Sequence, residues 1–284
     1  MNQRILITGA SGTIGSEVSR ALHAQGLKFT VMTSKNTSHV GVLPTVLGSF
    51  ANPDTLYHAF KDFDTVFLLV PLVPEMVEYG MNAIDAAKRA GVRHIVRSSG
   101  AGADPNSQFV IARVHGAIDQ HLKQSGLDWT ILCPNSFMQN FLSYYREQIL
   151  RNTYYMPHGV GAISLVDVRD IGECVAAVLA NPQRHIGRTY TLTGGEALTN
   201  TEQMAIISAA LGRSVRYIDI PEQAAIEAMT RDGFPQKVIE ILMSLNAVIK
   251  SGYAAGISGD VEFLTRHMPR AFSKFVQESV RAWQ

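Results

Sequence analysis

Gly9-Ala10-Ser11-Gly12-Thr13-Ile14-Gly15 places three glycines at the spacing that lets a main chain cradle a pyrophosphate. A pyrophosphate needs backbone N–H groups aimed at it, close approach without side-chain clash, and the partial positive charge of a helix N-terminus. Gly9 permits the tight turn, Gly12 leaves room for the phosphate, and Gly15 lets a helix lie close to the sheet. An apolar stretch precedes the motif and an amphipathic one follows it, the context that separates a dinucleotide loop from an ordinary glycine-rich turn. At the adenosine end, no Asp or Glu occurs between Glu17 and Asp54. No carboxylate therefore stands about 20 residues beyond the glycines to accept from a ribose 2′-OH. Thr33-Ser34-Lys35 stands there instead. Two hydroxyls and a cation suit a 2′-phosphate, which a carboxylate would repel. The expected cofactor is NADP(H).

The candidate for proton chemistry is His115. Asp119 follows four residues later, on the same face of a helix. Two readings stand: His115 hydrogen-bonds a cofactor ribose or protonates reduced substrate, or it is a structural histidine paired with Asp119. Metal chemistry is not expected, because none of the nine histidines forms HxH or HExxH and neither Cys133 nor Cys174 has a ligand-spaced neighbour.

The elements that must position these residues alternate in type. Strands are predicted over Arg4 to Thr8, Phe29 to Thr33, Pro44 to Leu47, Thr65 to Val70, His94 to Arg97 and Trp129 to Cys133. Helices are predicted between them over Gly15 to Ala24, Pro53 to Phe60 (capped by Asn52), Pro74 to Ala90 and Gln108 to Ser125. Short connections between alternating strands and helices give a parallel sheet with helices on both faces. Beyond Pro134 the alternation breaks down. Strands are expected at Ser164 to Val166, Arg188 to Thr193 and Val215 to Ile220. Helices are expected at Val168 to Leu179 and at Thr199 to Leu211, the latter capped by Thr201 or Asn200, and the stretch from Glu222 reads as mostly helical. The fold class is thus α/β: a Rossmann-type doubly wound parallel sheet with a smaller C-terminal α/β lobe. The expected division is a nucleotide-binding domain over 1–150, with segments returning from the C-terminal part, and a mostly helical substrate lobe over 151–284.

The totals agree. A chain of 284 residues with 46% apolar and 17% charged residues can bury a sizeable core. A net charge of +1 gives no electrostatic reason to expect nucleic acid or an anionic membrane as partner. No apolar run approaches the roughly 18 residues of a membrane span, and Met1-Asn2-Gln3-Arg4 leads straight into a strand rather than a signal peptide. The expected setting is the cytoplasm, with two buried reduced thiols.

Longer stretches resemble the NmrA-like group of atypical short-chain dehydrogenases. They are the glycine motif; Ala90-Gly91-Val92-Arg93-His94-Ile95-Val96 followed by Ser98-Ser99; Ser125-Gly126-Leu127-Asp128-Trp129-Thr130-Ile131-Leu132 followed by Pro134-Asn135-Ser136-Phe137-Met138-Gln139-Asn140; and Ile163-Ser164-Leu165-Val166-Asp167-Val168-Arg169-Asp170-Ile171. The resemblance spans nearly the whole chain and weakens after about Pro221. That family includes NAD(P)H-dependent quinone, azo-dye and triphenylmethane-dye reductases, and also NADP-binding redox sensors with little or no catalysis. By resemblance, Gly9, Ser11, Gly12, Thr13 and Ile14 hold the pyrophosphate, and Thr33, Ser34 and Lys35 meet the 2′-phosphate. Ser49 and Phe50 flank the adenine, although the family's Gly-Asp is here Gly48-Ser49. Val70, Pro71 and Leu72 end the fourth strand beside the cofactor. Ser98, Ser99 and Gly100 end the fifth near the nicotinamide, which Pro134, Asn135 and Phe137 border.

Typical short-chain dehydrogenases carry Tyr-x-x-x-Lys on the helix after the fifth strand, with lysine lowering the tyrosine pKa. Ile111 and His115 occupy those places here, which argues against alcohol oxidation and against an epimerase. Hydride transfer to an electron-poor acceptor can take its proton from solvent, leaving the protein to orient the reactants and exclude water. Phe137, Met138, Phe141, Tyr144, Tyr145, Tyr154, Tyr155 and Met156 are available to an acceptor pocket or to core packing, and Phe137 and Tyr155 are the ones expected to face the acceptor. The expected partner is a small aromatic electron acceptor. A homodimer is compatible with the chain; a regulatory protein is the partner under the alternative, a non-catalytic NADP(H) sensor.

Overall fold

The computed structural model describes residues 3–34 and 43–284. The chain forms two compact units: one of residues up to Ser107 with Ala112–Cys133 and Ile171–Tyr190, the other of Gln108–Ile111, Pro134–Asp170 and Thr191–Gln284. The division falls at Cys133, where the sixth strand leaves the sheet, rather than near residue 150. The segment 171–190 returns to the first unit.

The first unit alternates β1 (Ile5–Ile7), α1 (Thr13–Ala24), β2 (Phe29–Thr33), β3 (Thr45–Leu47), α2 (Pro53–Phe60), β4 (Thr65–Leu68), α3 (Met76–Arg89), β5 (His94–Ser98), α4 (Val110–Gln124) and β6 (Asp128–Pro134). The seven-stranded sheet runs β3-β2-β1-β4-β5-β6 and ends on β9 (Arg188–Leu192). Its neighbours from β3 to β6 pair in parallel. Along β6 and β9 the bonds Gly187 N–H to Trp129 O and Asn135 N–H to Leu192 O advance in the same direction. The order reverses between β1 and β4, and ligands of open α/β sheets bind at such a switch point. Short apolar strands buried on both faces explain the parallel packing: Ile5–Ile7 and Thr65–Leu68 are wholly buried. The core beneath them gathers Leu6, Phe60, Val66, Ile84, Ile118 and Ile131.

Local chemistry sets the helix ends. The Asn52 side chain accepts from the N–H groups of Asp54 and Thr55, with Pro53 at the first helical position. Gly91 (φ +80°) and Gly126 (φ +84°) take the left-handed turns after α3 and α4.

The second unit contains α5 (Arg146–Leu150), β7 (Thr153–Met156), β8 (Ala162–Ile163), β10 (Leu198–Thr199), α7 (Asn200–Leu211), β11 (Arg216–Asp219), α8 (Glu222–Arg231), α9 (Gln236–Lys250), α10 (Asp260–Thr265) and α11 (Phe272–Ser279). α6 (Val168–Ala180) starts in it and runs into the first unit. β7 and β11 pair in parallel, β8 and β10 antiparallel. Two expectations are corrected here. The strand near residue 164 is Ala162–Ile163, and Val166 makes only an isolated bridge with Phe137. The cap of α7 is Thr199, in a reciprocal box with Glu202, because only a residue three before Glu202 can exchange both bonds with it. Phe141, Tyr154, Phe272, Phe275 and Trp283 form an aromatic core, with the Trp283 indole N–H donating to Phe141 O (2.9 Å). Among the described residues no single helix is long and apolar enough to cross a membrane.

Candidate active site

The glycine loop after β1 is built by contacts that only glycine allows. Gly9 sits at φ +67°, a left-handed conformation that strains any side chain. Its carbonyl accepts from the Gly12 N–H at 3.0 Å, closing the turn. A Cβ on Gly15 would stand 2.1 Å from the Gly9 carbonyl oxygen, so the first turn of α1 and the loop share one space. Thr8, at the end of β1, ties this loop to β4: its hydroxyl accepts from the Leu69 N–H (2.8 Å).

α1 presents its N-terminus to this loop without a side-chain cap and with no acidic residue in its first turn. Its leading N–H groups and the positive end of the helix dipole are left for an anion. Gly9, Ala10, Ser11 and Gly12 line a pocket together with Met32, Thr33, Ser34, Gly48, Phe50, Leu69 and Pro71. The loop, β2, β3 and β4 thus converge on one crevice, and at the end of β2 they bring hydroxyls rather than a carboxylate to it.

The other residues expected at the cofactor are placed as follows. Thr13 is exposed, whereas Ile14 is buried in the core. The Ser49 hydroxyl accepts from the Ala51 N–H (3.3 Å) while the Thr55 hydroxyl accepts from the Ser49 N–H (3.0 Å). This turn holds Phe50 in the pocket wall, its ring stacked on Tyr79. Val70 is buried in the core beneath Pro71, and Leu72 is exposed. Lys35 lies outside the described residues. Met32 and Leu69 are pocket residues that no motif marks. The strand ends that carry them could have suggested them, since every strand end bordering the switch point faces the crevice.

At the end of β5 the arrangement departs from expectation. Asp119 does not pair with His115. It binds the guanidinium of Arg97 through Oδ1 and accepts from the Ser99 hydroxyl through Oδ2 (2.7 Å). Arg97 is fully buried, and a sealed cation needs a counter-charge far more than a neutral imidazole does. Ser98 and Ser99 are also buried, and the Ser99 N–H donates to Leu132 O (2.7 Å). His115 is half-buried. Its Cδ2–Nε2 edge lies over Gly100, where a Cβ would stand 3.0 and 3.2 Å from those atoms. Its Nδ1 is sealed from solvent with no hydrogen-bond partner. Burial, with the Arg97 charge adding to it, pushes the imidazole down to about 3. At neutral pH His115 is therefore uncharged and is not an imidazolium acid.

In the second unit, Asn135 donates to the Ser164 hydroxyl (2.9 Å) and Ala254 O (2.8 Å), and accepts from the Ser136 N–H (2.8 Å), so its amide is committed to holding three segments together. Pro134 is buried at the end of β6. Met138, Phe141 and Tyr154 are core residues, with Tyr145 and Met156 packed on them. Tyr144 is exposed. Phe137 is half-buried outside that core, and Tyr155 is 41% exposed. Cys133 and Cys174 are buried, and no disulfide joins them.

Comparison with known proteins agrees with this geometry. The sequence profile of the NmrA-like family matches residues 1–275. The NAD(P)H azoreductase of Xenophilus azovorans is 37% identical over 98% of this chain and 99% of its own. The (4-alkanoyl-5-oxo-2,5-dihydrofuran-3-yl)methyl phosphate reductase of Streptomyces griseus subsp. griseus is 30% identical over 98% of this chain and 99% of its own. Among solved structures, the Citrobacter sp. triphenylmethane reductase complexed with NADP(H) shares the fold, with a TM-score of 0.84 at 22% identity over 97% of this chain and 99% of that one.

Proposed function

The chain belongs to the NmrA-like family, and from that premise we propose that it is an NADPH-dependent reductase that passes hydride to a quinone-like or azo-type aromatic acceptor. The observation that carries the reading is the crevice at the switch point. It joins an uncapped helix N-terminus and glycine-only contacts to a β2 end that offers Thr33 and Ser34 and no carboxylate. Such a site fits a phosphate-rich dinucleotide with a charged 2′ position. Gly9, Ser11 and Gly12 hold the pyrophosphate, Thr33 and Ser34 the 2′-phosphate, and Phe50 with Met32 and Pro71 the adenosine. The bound dinucleotide supplies the hydride. The protein's share is orientation and exclusion of water, and Phe137 and Tyr155, outside the aromatic core, are offered to the acceptor.

The azoreductase relative, aligned along both chains, supports the acceptor class. A neutral His115 also suits an acceptor whose proton comes from solvent. The test is loss of reduced-nicotinamide absorbance with a panel of quinones, azo dyes and triphenylmethane dyes, with NADH run in parallel. Turnover with any acceptor, faster with NADPH, is the expected result. Tight NADPH binding by calorimetry without turnover of any acceptor would replace the reductase by a redox sensor acting through a partner protein.

A further inference from the structure

Four side-chain nitrogens among the described residues of the first unit are sealed from solvent without a hydrogen-bond partner: His94 Nδ1, Arg97 Nε, Arg97 Nη2 and His115 Nδ1. The last three belong to one cluster. Asp119 grips the Arg97 guanidinium by a single nitrogen, and Asp119 stands one helical turn from His115 on α4. The two remaining arginine nitrogens can only donate.

An imidazole beside such a group has two neutral forms. With the proton on Nδ1, the sealed side of the ring would add another donor next to a buried cation, and no acceptor would face it. With the proton on Nε2, Nδ1 keeps a bare lone pair, which the nearby Arg97 charge favours over an N–H, and the N–H sits on the edge that lies over Gly100. We propose that Arg97 is a positioning residue that fixes the tautomer of His115, so that the ring presents an Nε2–H donor at Gly100 to a hydroxyl or carbonyl oxygen of the bound dinucleotide or of its acceptor.

The surrounding charges agree. On α4 itself the nearest is Asp119, whose charge is met by Arg97 and whose second oxygen is taken by Ser99. From β5 comes Arg97, and from β6 the buried Cys133 faces that arginine. Nothing on these elements pulls a proton onto Nδ1. The Arg97 field also opposes a second proton on the ring. His115 then acts as a neutral electrophilic donor, a role a histidine can hold when its surroundings keep it uncharged.

The donor role rests on the reductase reading, but the tautomer does not. The first measurement is therefore made on the protein without cofactor: nitrogen NMR of the whole chain labelled in histidine, with His115 assigned from its loss in His115→Gln. The expected signal is a neutral ring protonated at Nε2 that does not titrate between about pH 5 and 8. A ring protonated at Nδ1, or a titration midpoint in the ordinary imidazole range, would overturn the proposal. Arg97→Met paired with Asp119→Leu removes both charges. In that variant the His115 midpoint moves up and the two tautomers mix, whereas Arg97→Lys, which keeps the cation, preserves the Nε2–H form. If the double variant does not fold, the native spectrum alone decides. NADP⁺ is then added, with binding measured separately by calorimetry. A shift of the Nε2–H signal on NADP⁺ assigns the oxygen to the dinucleotide. A shift only after acceptor is added assigns it to the acceptor. No shift with both bound would end the donor role.

Discussion

Arg97 and Asp119 form an ion pair between the interior strand β5 and helix α4, with the arginine wholly out of solvent and the carboxylate nearly so. The pair also fixes Ser99, and with it the turn that leads to Gly100 under His115. Removing one partner leaves a buried charge unmatched, which costs about 3–5 kcal/mol. Asp119→Asn should lower stability by that amount in urea unfolding, and Arg97→Met combined with Asp119→Leu should recover most of it. Equal losses in the single and double variants would mean that shape, not charge, is what the pair supplies.

Gly15→Ala should damage both folding and binding. The added Cβ meets the Gly9 carbonyl at 2.1 Å, and both atoms belong to main chain held by the sheet. Strain of about 1–3 kcal/mol is expected, together with loss of measurable NADPH binding by calorimetry. Gly12→Ala is the contrast: its Cβ would meet only the Gly9 oxygen, at 3.4 Å. Folding should survive there while the close approach of a phosphate is lost.

Thr33→Asp should reverse cofactor choice. A carboxylate at the end of β2 accepts from a ribose 2′-OH and repels a 2′-phosphate. The ratio of kcat/KM for NADPH to that for NADH should fall about tenfold or more. An unchanged ratio would show that the 2′ position is read elsewhere.

Gly100→Ala tests the seat of His115. The ring must give way by a few tenths of an ångström to admit the methyl group. Acceptor reduction should drop while the melting temperature stays close to that of the native protein, because the displaced edge of a half-buried ring is not a core contact.

The buried histidines predict acid sensitivity. Burial lowers His94 to about 4 and His115 to about 3, and it lowers His158 as well. A folded-state pKa below the unfolded one means that the unfolded chain binds more protons. The stabilisation is present in full above about pH 6.5 and is lost as pH falls toward the folded values, at about 1.4 kcal/mol per pH unit for each group. Urea midpoints should fall between about pH 6.5 and 5. His94→Gln, which can still donate to Thr130, should flatten that slope.

The glycine loop between β1 and α1 was legible because its information is local. Gly9, Gly12 and Gly15 lie within one turn of chain, and each is required by a contact a few residues away. The strands and helices of the first unit were legible for the same reason: apolar runs, the Asn52 cap and the glycines after α3 and α4 are signals of neighbours in sequence. Even the missing acid between Glu17 and Asp54 is a property of the sequence alone, and it reaches the pocket directly through Thr33 and Ser34.

The state of His115 was not legible. Sequence spacing offered Asp119 as its partner, since residues four apart share a helical face. Only the folded chain brings Arg97, 22 residues before Asp119, into a position to claim the carboxylate. A cation sealed at the end of a strand outcompetes a neutral ring for the one nearby anion, because desolvating an unpaired charge costs far more than desolvating an imidazole. The same holds for the aromatic residues from Phe137 to Met156. Their composition suits a pocket and a core equally well, and closure of the second unit around Phe141, Tyr154 and Trp283 decides which of them are spent on packing. The sequence by itself determined the sheet and the glycine loop, because local geometry encodes both. The tertiary structure decided the charge of the histidine beside Gly100 and the partner of Asp119, because long-range burial sets both.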